Sequence, residues 1–138
     1  MIDDFSKETY IEKKNNYCLN CKDYNDGKSR NVFYKLPSIL IIYPGRKNNG
    51  IKSNTKISFE EDLRIKEIAN LESTIILYDL IGIIYHLKED GQKGHNVAIC
   101  KKQNSWYLFN DHKISQVEID ITNFSGEGIL LLVYKKQI

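Results

Sequence analysis

Residues 74–87, TIILYDLIGIIYHL, and residues 94–111, GHNVAICKKQNSWYLFND, decide the fold. The first stretch is a nearly unbroken apolar run bounded by polar segments, which reads as a strand buried on both faces, with Gly82 inside it. The second reads as two strands, His95–Lys101 and Ser105–Asn110, joined by a short polar turn, which is a hairpin pattern. Downstream, Ile114–Ile121 reads as a short strand or loop, and Gly128–Lys135, GILLLVYK, as a last buried strand.

Upstream, residues 31–43, NVFYKLPSILIIY, read as strand, with Pro37 at a bend and Ser38–Tyr43 buried on both faces. Residues 44–56 and 88–94 read as loops. A helix is expected over Phe59–Leu71, where Phe59, Leu63, Ile65, Ile68 and Leu71 keep helical spacing. A second, short helix is expected at the start, capped by Asp4 or Ser6, with Phe5, Tyr10 and Ile11 toward the core. Short loops between successive strands imply a mainly antiparallel sheet, and with the two helices an α+β chain.

Composition narrows the function classes. The chain has 138 residues, about the size of one domain. It holds 20 Ile and 12 Leu against 2 Ala, with nine Tyr and five Phe, a strand-favouring set. The formal charge of +2 is too balanced to argue for nucleic acid, so no nucleic-acid partner is expected. No apolar run reaches the roughly 18 residues that cross a bilayer, so no membrane partner is expected either. The start, MIDDFSKETY, lacks the pattern of a secretory signal, and three cysteines are an odd number for disulfides. Reduced thiols and a cytoplasmic or nuclear location are expected.

Three groups of residues bear chemistry. Cys18 and Cys21 form a CxxC whose two sulfurs can share one corner of a metal site. A tetrahedral zinc needs two more ligands, and Cys100, His86, His95 and His112 do not complete the usual spacing. Without a metal, the thiols read as a pair of buried thiols or a degenerate ribbon knuckle. His95 is the second group: it starts a strand, and Asn110 and Asp111 end the hairpin's other strand. A side chain at 110 or 111 can then accept a hydrogen bond from the imidazole, as a general base requires, although a surface histidine beside an Asn-Asp turn fits the spacing too. The third group, a nucleophile, is missing. Cys100 lies five residues from His95 on one strand, and an odd offset sends it to the opposite face.

Taken in order, Cys18/Cys21, Lys35–Arg46, Tyr78–His86, Gly94–Cys100, Trp106–Asp111 and Leu131–Tyr134 resemble the C-terminal half of the ubiquitin-specific protease catalytic domain. The resemblance runs from about residue 3 to residue 135. It implies a papain-like cysteine protease palm over about 31–138, part of the fingers in a knuckle at about 17–30, and a missing thumb. It makes His95 the catalytic histidine, Asn110 its orienting residue and Asp111 the adjacent acid. Tyr85, Gly94 and Asn96 become substrate-binding positions. Loops 44–56 and 87–94 would border the channel for the ubiquitin tail.

The same resemblance makes Cys18 and Cys21 half of a structural zinc site, whose other two ligands come from elsewhere, and implies no cofactor for catalysis. The implied partners are ubiquitin or ubiquitinated proteins and the missing N-terminal half of the domain. Two positions depart from the family pattern: Lys93 replaces a glycine before the histidine, and Asn96 replaces the aromatic after it. The family's cysteine box is absent, so the chain is expected to be inactive by itself. The alternatives are a catalytically inactive relic that binds ubiquitin or another partner, and a small zinc-dependent interaction module.

Overall fold

The computed structural model describes residues 5–45, 47–48, 51–52, 55–69, 72–87, 94–120 and 126–138. The chain divides into two units, one holding the residues up to Lys35 with Lys66–Thr74, the other Leu36–Ile65 with Ile75–Ile138.

In the first unit, β1 (Thr9–Ile11), β2 (Tyr17–Cys18), β3 (Asp23–Tyr24) and β4 (Gly27–Ser29) form two small antiparallel pairs, β1 with β4 and β2 with β3. Cross-strand contacts hold them: the rings of Tyr17 and Tyr24 meet edge-on at 5.1 Å, and Lys28 bridges to Glu8 at 2.9 Å. Phe5 stacks on Phe33 at 4.7 Å. Of the expected first helix, Phe5 is helical and residues 1–4 lie outside the described residues, but its extension to Tyr10 and Ile11 is corrected here. Tyr10 and Ile11 lie in β1 with Tyr10 exposed, and Asp4 lies outside the described residues. A three-residue strand paired to β4 leaves no helical face to bury.

The remaining strands are β5 (Ile39–Ile42), the small hairpin β6 (Lys47–Asn48) and β7 (Ile51–Lys52), β8 (Asp62–Ala69), β9 (Glu72–Leu87), β10 (His95–Lys102), β11 (Ser105–Asn110), β12 (Lys113–Val117) and β13 (Ile129–Lys136). Seven of them make one sheet in the order β12-β11-β10-β9-β13-β5, with β8 also paired to β9. Every neighbour whose register is resolved is antiparallel.

Two expectations fail on this sheet. The segment expected as a helix over Phe59–Leu71 is strand β8. Its apolar residues fit a helical period, but Ile65 is buried between exposed Arg64 and Lys66, and pairing with β9 outweighs the local pattern. Leu71 lies outside the described residues. Ser38–Tyr43 is not buried on both faces: β5 is four residues long at the sheet edge, and Ile41 is 60% exposed. Among the described residues, helix is confined to Phe5 and to 3-10 turns at Lys13–Asn15 and Gly126–Gly128.

The core of the second unit lies on one face of the sheet: Tyr78, Leu80, Ile83, Val97, Ile99, Trp106, Leu132 and Tyr134. A bulge explains why the buried parity changes along β9. Tyr134 pairs with Leu80 and Val133 with Gly82, so Ile81 is an extra residue. Before it the even residues Tyr78 and Leu80 face the core; after it the odd residue Ile83 does. Tyr85 and Leu87 share that parity, which carries β9 to the site. Two tyrosines tie the sheet to the preceding segments, Tyr78 Oη donating to Pro37 O, and Tyr134 Oη donating to Glu60 O at 2.8 Å.

Candidate active site

The site is built on the β10–β11 hairpin. Lys102 pairs with Ser105, so Gln103 and Asn104 alone make the turn, and Gln103 takes a left-handed φ of 55°. The ladder runs to Ala98–Phe109. One step further sets Val97 opposite Asn110, and His95 two residues beyond on the same face. Asn110 is thus the diagonal neighbour of His95, within reach for a side chain of this length. Asn110 Oδ1 lies 2.7 Å from His95 Nε2. The oxygen only accepts, so Nε2 carries the proton and donates. The basic lone pair is then on Nδ1.

Asp111 opens the next turn, since Asn110 pairs with Lys113 in β12. Its φ of 51° is left-handed, a conformation that Asp tolerates better than most residues. This brings its carboxylate back to 3.8 Å from His95 Nε2. The His95 side chain is 36% exposed and that of Asp111 71%. The three residues form an imidazole with one nitrogen held by an amide, a carboxylate nearby, and a face open to solvent. That arrangement has the geometry to take up and return a proton.

The other sequence-derived positions are distributed as follows. Tyr85 pairs with Val97, on the face that carries His95. The ring of Tyr85 leaves no room for a side chain at Gly128, where a Cβ would fall 2.5 Å from Cζ. Together with His86, Leu87 and Glu127 they line a cleft of about 180 Å³. Gly94 directly precedes His95. Asn96 points to the opposite face, where its Oδ1 lies 2.7 Å from His86 Nδ1. Sequence reasoning did not single out His86 for this role. Its signal is the register His86–Asn96, which needs the pairing of β9 with β10 to be placed first. Lys93 lies outside the described residues.

The thiol of the second unit does not stand beside His95. Cys100 is on the opposite face of β10, and partial burial pushes its pKa up. Cys18 and Cys21 lie in the β2–β3 hairpin of the first unit. There the Cys21 amide donates to Cys18 Sγ at 3.5 Å, and Asn25 Nδ2 donates to Cys21 Sγ at 3.5 Å. Hydrogen bonds from the Cys21 side chain and backbone and from the Asn20 backbone lower the Cys18 pKa. Thiolates held by amide donors suit a zinc site, but two ligands are half of one. Among the described residues, no group of three or more His, Cys, Asp or Glu could hold a metal ion. None of the described helices is long and apolar enough to cross a membrane.

Comparison with known proteins adds the family context. The family model described as "Ubiquitin carboxyl-terminal hydrolase" matches residues 7–134. Among curated proteins, the chain is 29% identical over 133 residues to the probable ubiquitin carboxyl-terminal hydrolase 16 of Schizosaccharomyces pombe, covering 92% of the chain and 29% of that protein. It is 29% identical over 132 residues to ubiquitin carboxyl-terminal hydrolase 8 of Saccharomyces cerevisiae, covering 84% of the chain and 28% of that protein. The chain therefore spans less than a third of the length of these relatives. Among solved structures, a SAGA DUB module bound to ubiquitin aldehyde matches with a TM-score of 0.77 at 28% identity, over 99% of this chain and 32% of the matched one. A SAGA DUB module bound to monoubiquitin matches with a TM-score of 0.79 at 29% identity, over the same shares.

Proposed function

Because the chain belongs to the ubiquitin carboxyl-terminal hydrolase family of cysteine-protease deubiquitinases, we propose that it supplies the histidine half of a deubiquitinase active site. The substrate is the bond after the C-terminal glycine of ubiquitin. In this reading residues from about 31 to 138 are palm, the knuckle at about 17–30 is part of the fingers, and the chain works in cytoplasm or nucleus. The observation that carries the reading is the 2.7 Å bond between His95 Nε2 and Asn110 Oδ1.

The chemistry is acyl transfer. His95 Nδ1 accepts the proton of a cysteine thiol supplied outside these 138 residues. The thiolate attacks the glycine carbonyl, and His95 returns the proton to the leaving amine as the thioester forms. Water then gives its proton to Nδ1 and attacks the thioester, which restores the thiol and frees the carboxylate. Asn110 holds Nε2–H throughout, and Asp111 stands 3.8 Å from the same nitrogen. Tyr85 and Gly94 lie around the tail channel, whereas the Asn96 side chain faces the other side of the sheet, toward His86. Cys18 and Cys21 would supply two of four ligands to a structural zinc that anchors the fingers.

The test is hydrolysis of a fluorogenic ubiquitin C-terminal amide. The chain alone is expected to give no turnover. Supplied with the cysteine-bearing N-terminal part of a family member, it is expected to give turnover that His95→Ala abolishes. Turnover by the chain alone, or complemented turnover indifferent to His95→Ala, would sink this assignment. The replacement of the family's aromatic by Asn96 favours one second reading, a non-catalytic relic of the domain that binds ubiquitin or another partner. Saturable binding of ubiquitin without complemented turnover would favour it.

A further inference from the structure

One imidazole touches both chain neighbours of His95. His86 stands opposite Asn96 across β9 and β10, and its Nδ1 lies 2.7 Å from Asn96 Oδ1. The oxygen accepts, so Nδ1–H donates. On the other side of His95, a Cβ at Gly94 would fall 2.1 Å from His86 Nε2 and 2.3 Å from Cε1. The ring fills the volume that a side chain at 94 would need.

This matters because of where the strand begins. β10 starts at His95, which pairs with Leu87 of β9, whereas pairing to β11 begins only at Ala98. Residues 95–97 have ladder partners on one side alone. Such a strand start frays unless side chains hold it. A functional imidazole must stay within about 0.5 Å of its working position. Asn110 holds the ring of His95, but the bond is short only if the backbone at 95 is fixed as well.

We propose that His86 is the positioning residue for His95: by donating to Asn96 and packing over Gly94, it fixes the backbone of residue 95 and so the direction of its ring toward Asn110. The side chain of His86 is on the face of the sheet opposite His95 and acts from there. Asn96 is where this sequence departs from the family pattern, and its amide oxygen is the acceptor for His86. The proposal rests on the reading of His95 as the general base, but its test reads the ring itself.

The experiment is long-range ¹H–¹⁵N correlation of the imidazoles in the full chain. The wild-type protein is expected to show His95 as a single Nε2–H tautomer, with widely separated ring-nitrogen shifts. In His86→Ala and in Asn96→Ala that separation is expected to shrink toward a tautomer average, with the Trp106 indole signal unmoved. His86→Gln keeps a donor and is expected to recover most of it. Gly94→Ala by itself is expected to perturb His95 as well as His86, and to lose most of its effect on His95 when combined with His86→Ala. Asn96 is exposed, so its variant reports even where the others fail to fold. An unmoved His95 in Asn96→Ala and His86→Ala overturns the positioning role. Asn110→Ala separates the two levels: if it moves His95 while those variants do not, only the role of His86 falls. If Asn110→Ala leaves His95 unmoved, the reading of the His95–Asn110 pair falls, and His86 with it.

Discussion

Asn110 bonds to His95 at 2.7 Å without being its direct cross-strand partner; the diagonal of the β10–β11 hairpin brings them together. Asn110→Ala leaves the base present but unoriented, and His95→Ala removes it. In the complemented enzyme the first is expected to lower turnover of a ubiquitin amide by about 10–100-fold, the scale for losing a group that orients a functional histidine. The second is expected to lower it by about 10²–10⁴-fold. Equal rates for Asn110→Ala and wild type would remove the orienting role.

The two kinds of thiol are expected to react at different rates. Amide and thiol donors lower the Cys18 pKa, whereas burial raises that of Cys100. A lowered pKa raises the thiolate fraction at pH 7, so iodoacetamide is expected to label Cys18 well before Cys100. Peptide mass spectrometry of a time course reads this directly, and Cys100 labelled first would contradict it.

Tyr134 makes stability depend on alkaline pH. Burial and the nearby Glu60 push its pKa up from 10.0 to about 12. The folded state favours the neutral phenol, so this stabilisation is whole below pH 10 and is lost as pH rises toward 12. The loss is on the order of 2 kcal/mol. Tyr134→Phe is expected to be less stable than wild type at pH 8 by about 1 kcal/mol, through the missing bond to Glu60 O. That gap should close or reverse near pH 12. Denaturant midpoints of both proteins across this range are the measurement, and parallel curves would refute it.

Two glycines are expected to respond to alanine with opposite signs. At Gly126 a Cβ would lie 2.2 Å from Ile57 O and 2.5 Å from Ile57 N, both backbone atoms. Gly126→Ala is expected to cost about 1–3 kcal/mol. At Gly82 the nearest atom is Val133 Cβ at 3.6 Å, an ordinary contact. Gly82→Ala is expected to stabilise by about 0.5–1 kcal/mol, by restricting the unfolded chain. Urea unfolding of the two variants checks the contrast.

How much of this was legible depended on how local the signal was. The hairpin was visible because two apolar strands flank a polar turn at Gln103–Asn104, and the opposite facing of Cys100 followed from strand parity. Strand β8 was not, since Leu63, Ile65 and Ile68 satisfy a helical period and only pairing with β9 decides against it. The exposure of Ile39 and Ile41 was hidden for a similar reason: β5 is an edge strand, and edges are set by the order of the whole sheet. The bulge at Ile81 left no local mark, yet it sets which residues of β9 share a face with His95.

The two-residue turn at Gln103–Asn104 also has a kinetic consequence. His95 and Asn110 are 15 residues apart, so their meeting needs only one local closure, an event of about 1–10 μs for a hairpin. The pairing of β13 with β5, by contrast, joins Leu132 to Ile42 across most of the chain. Topology therefore orders the steps: the imidazole finds its amide early, and the long-range sheet assembles around a pair already made.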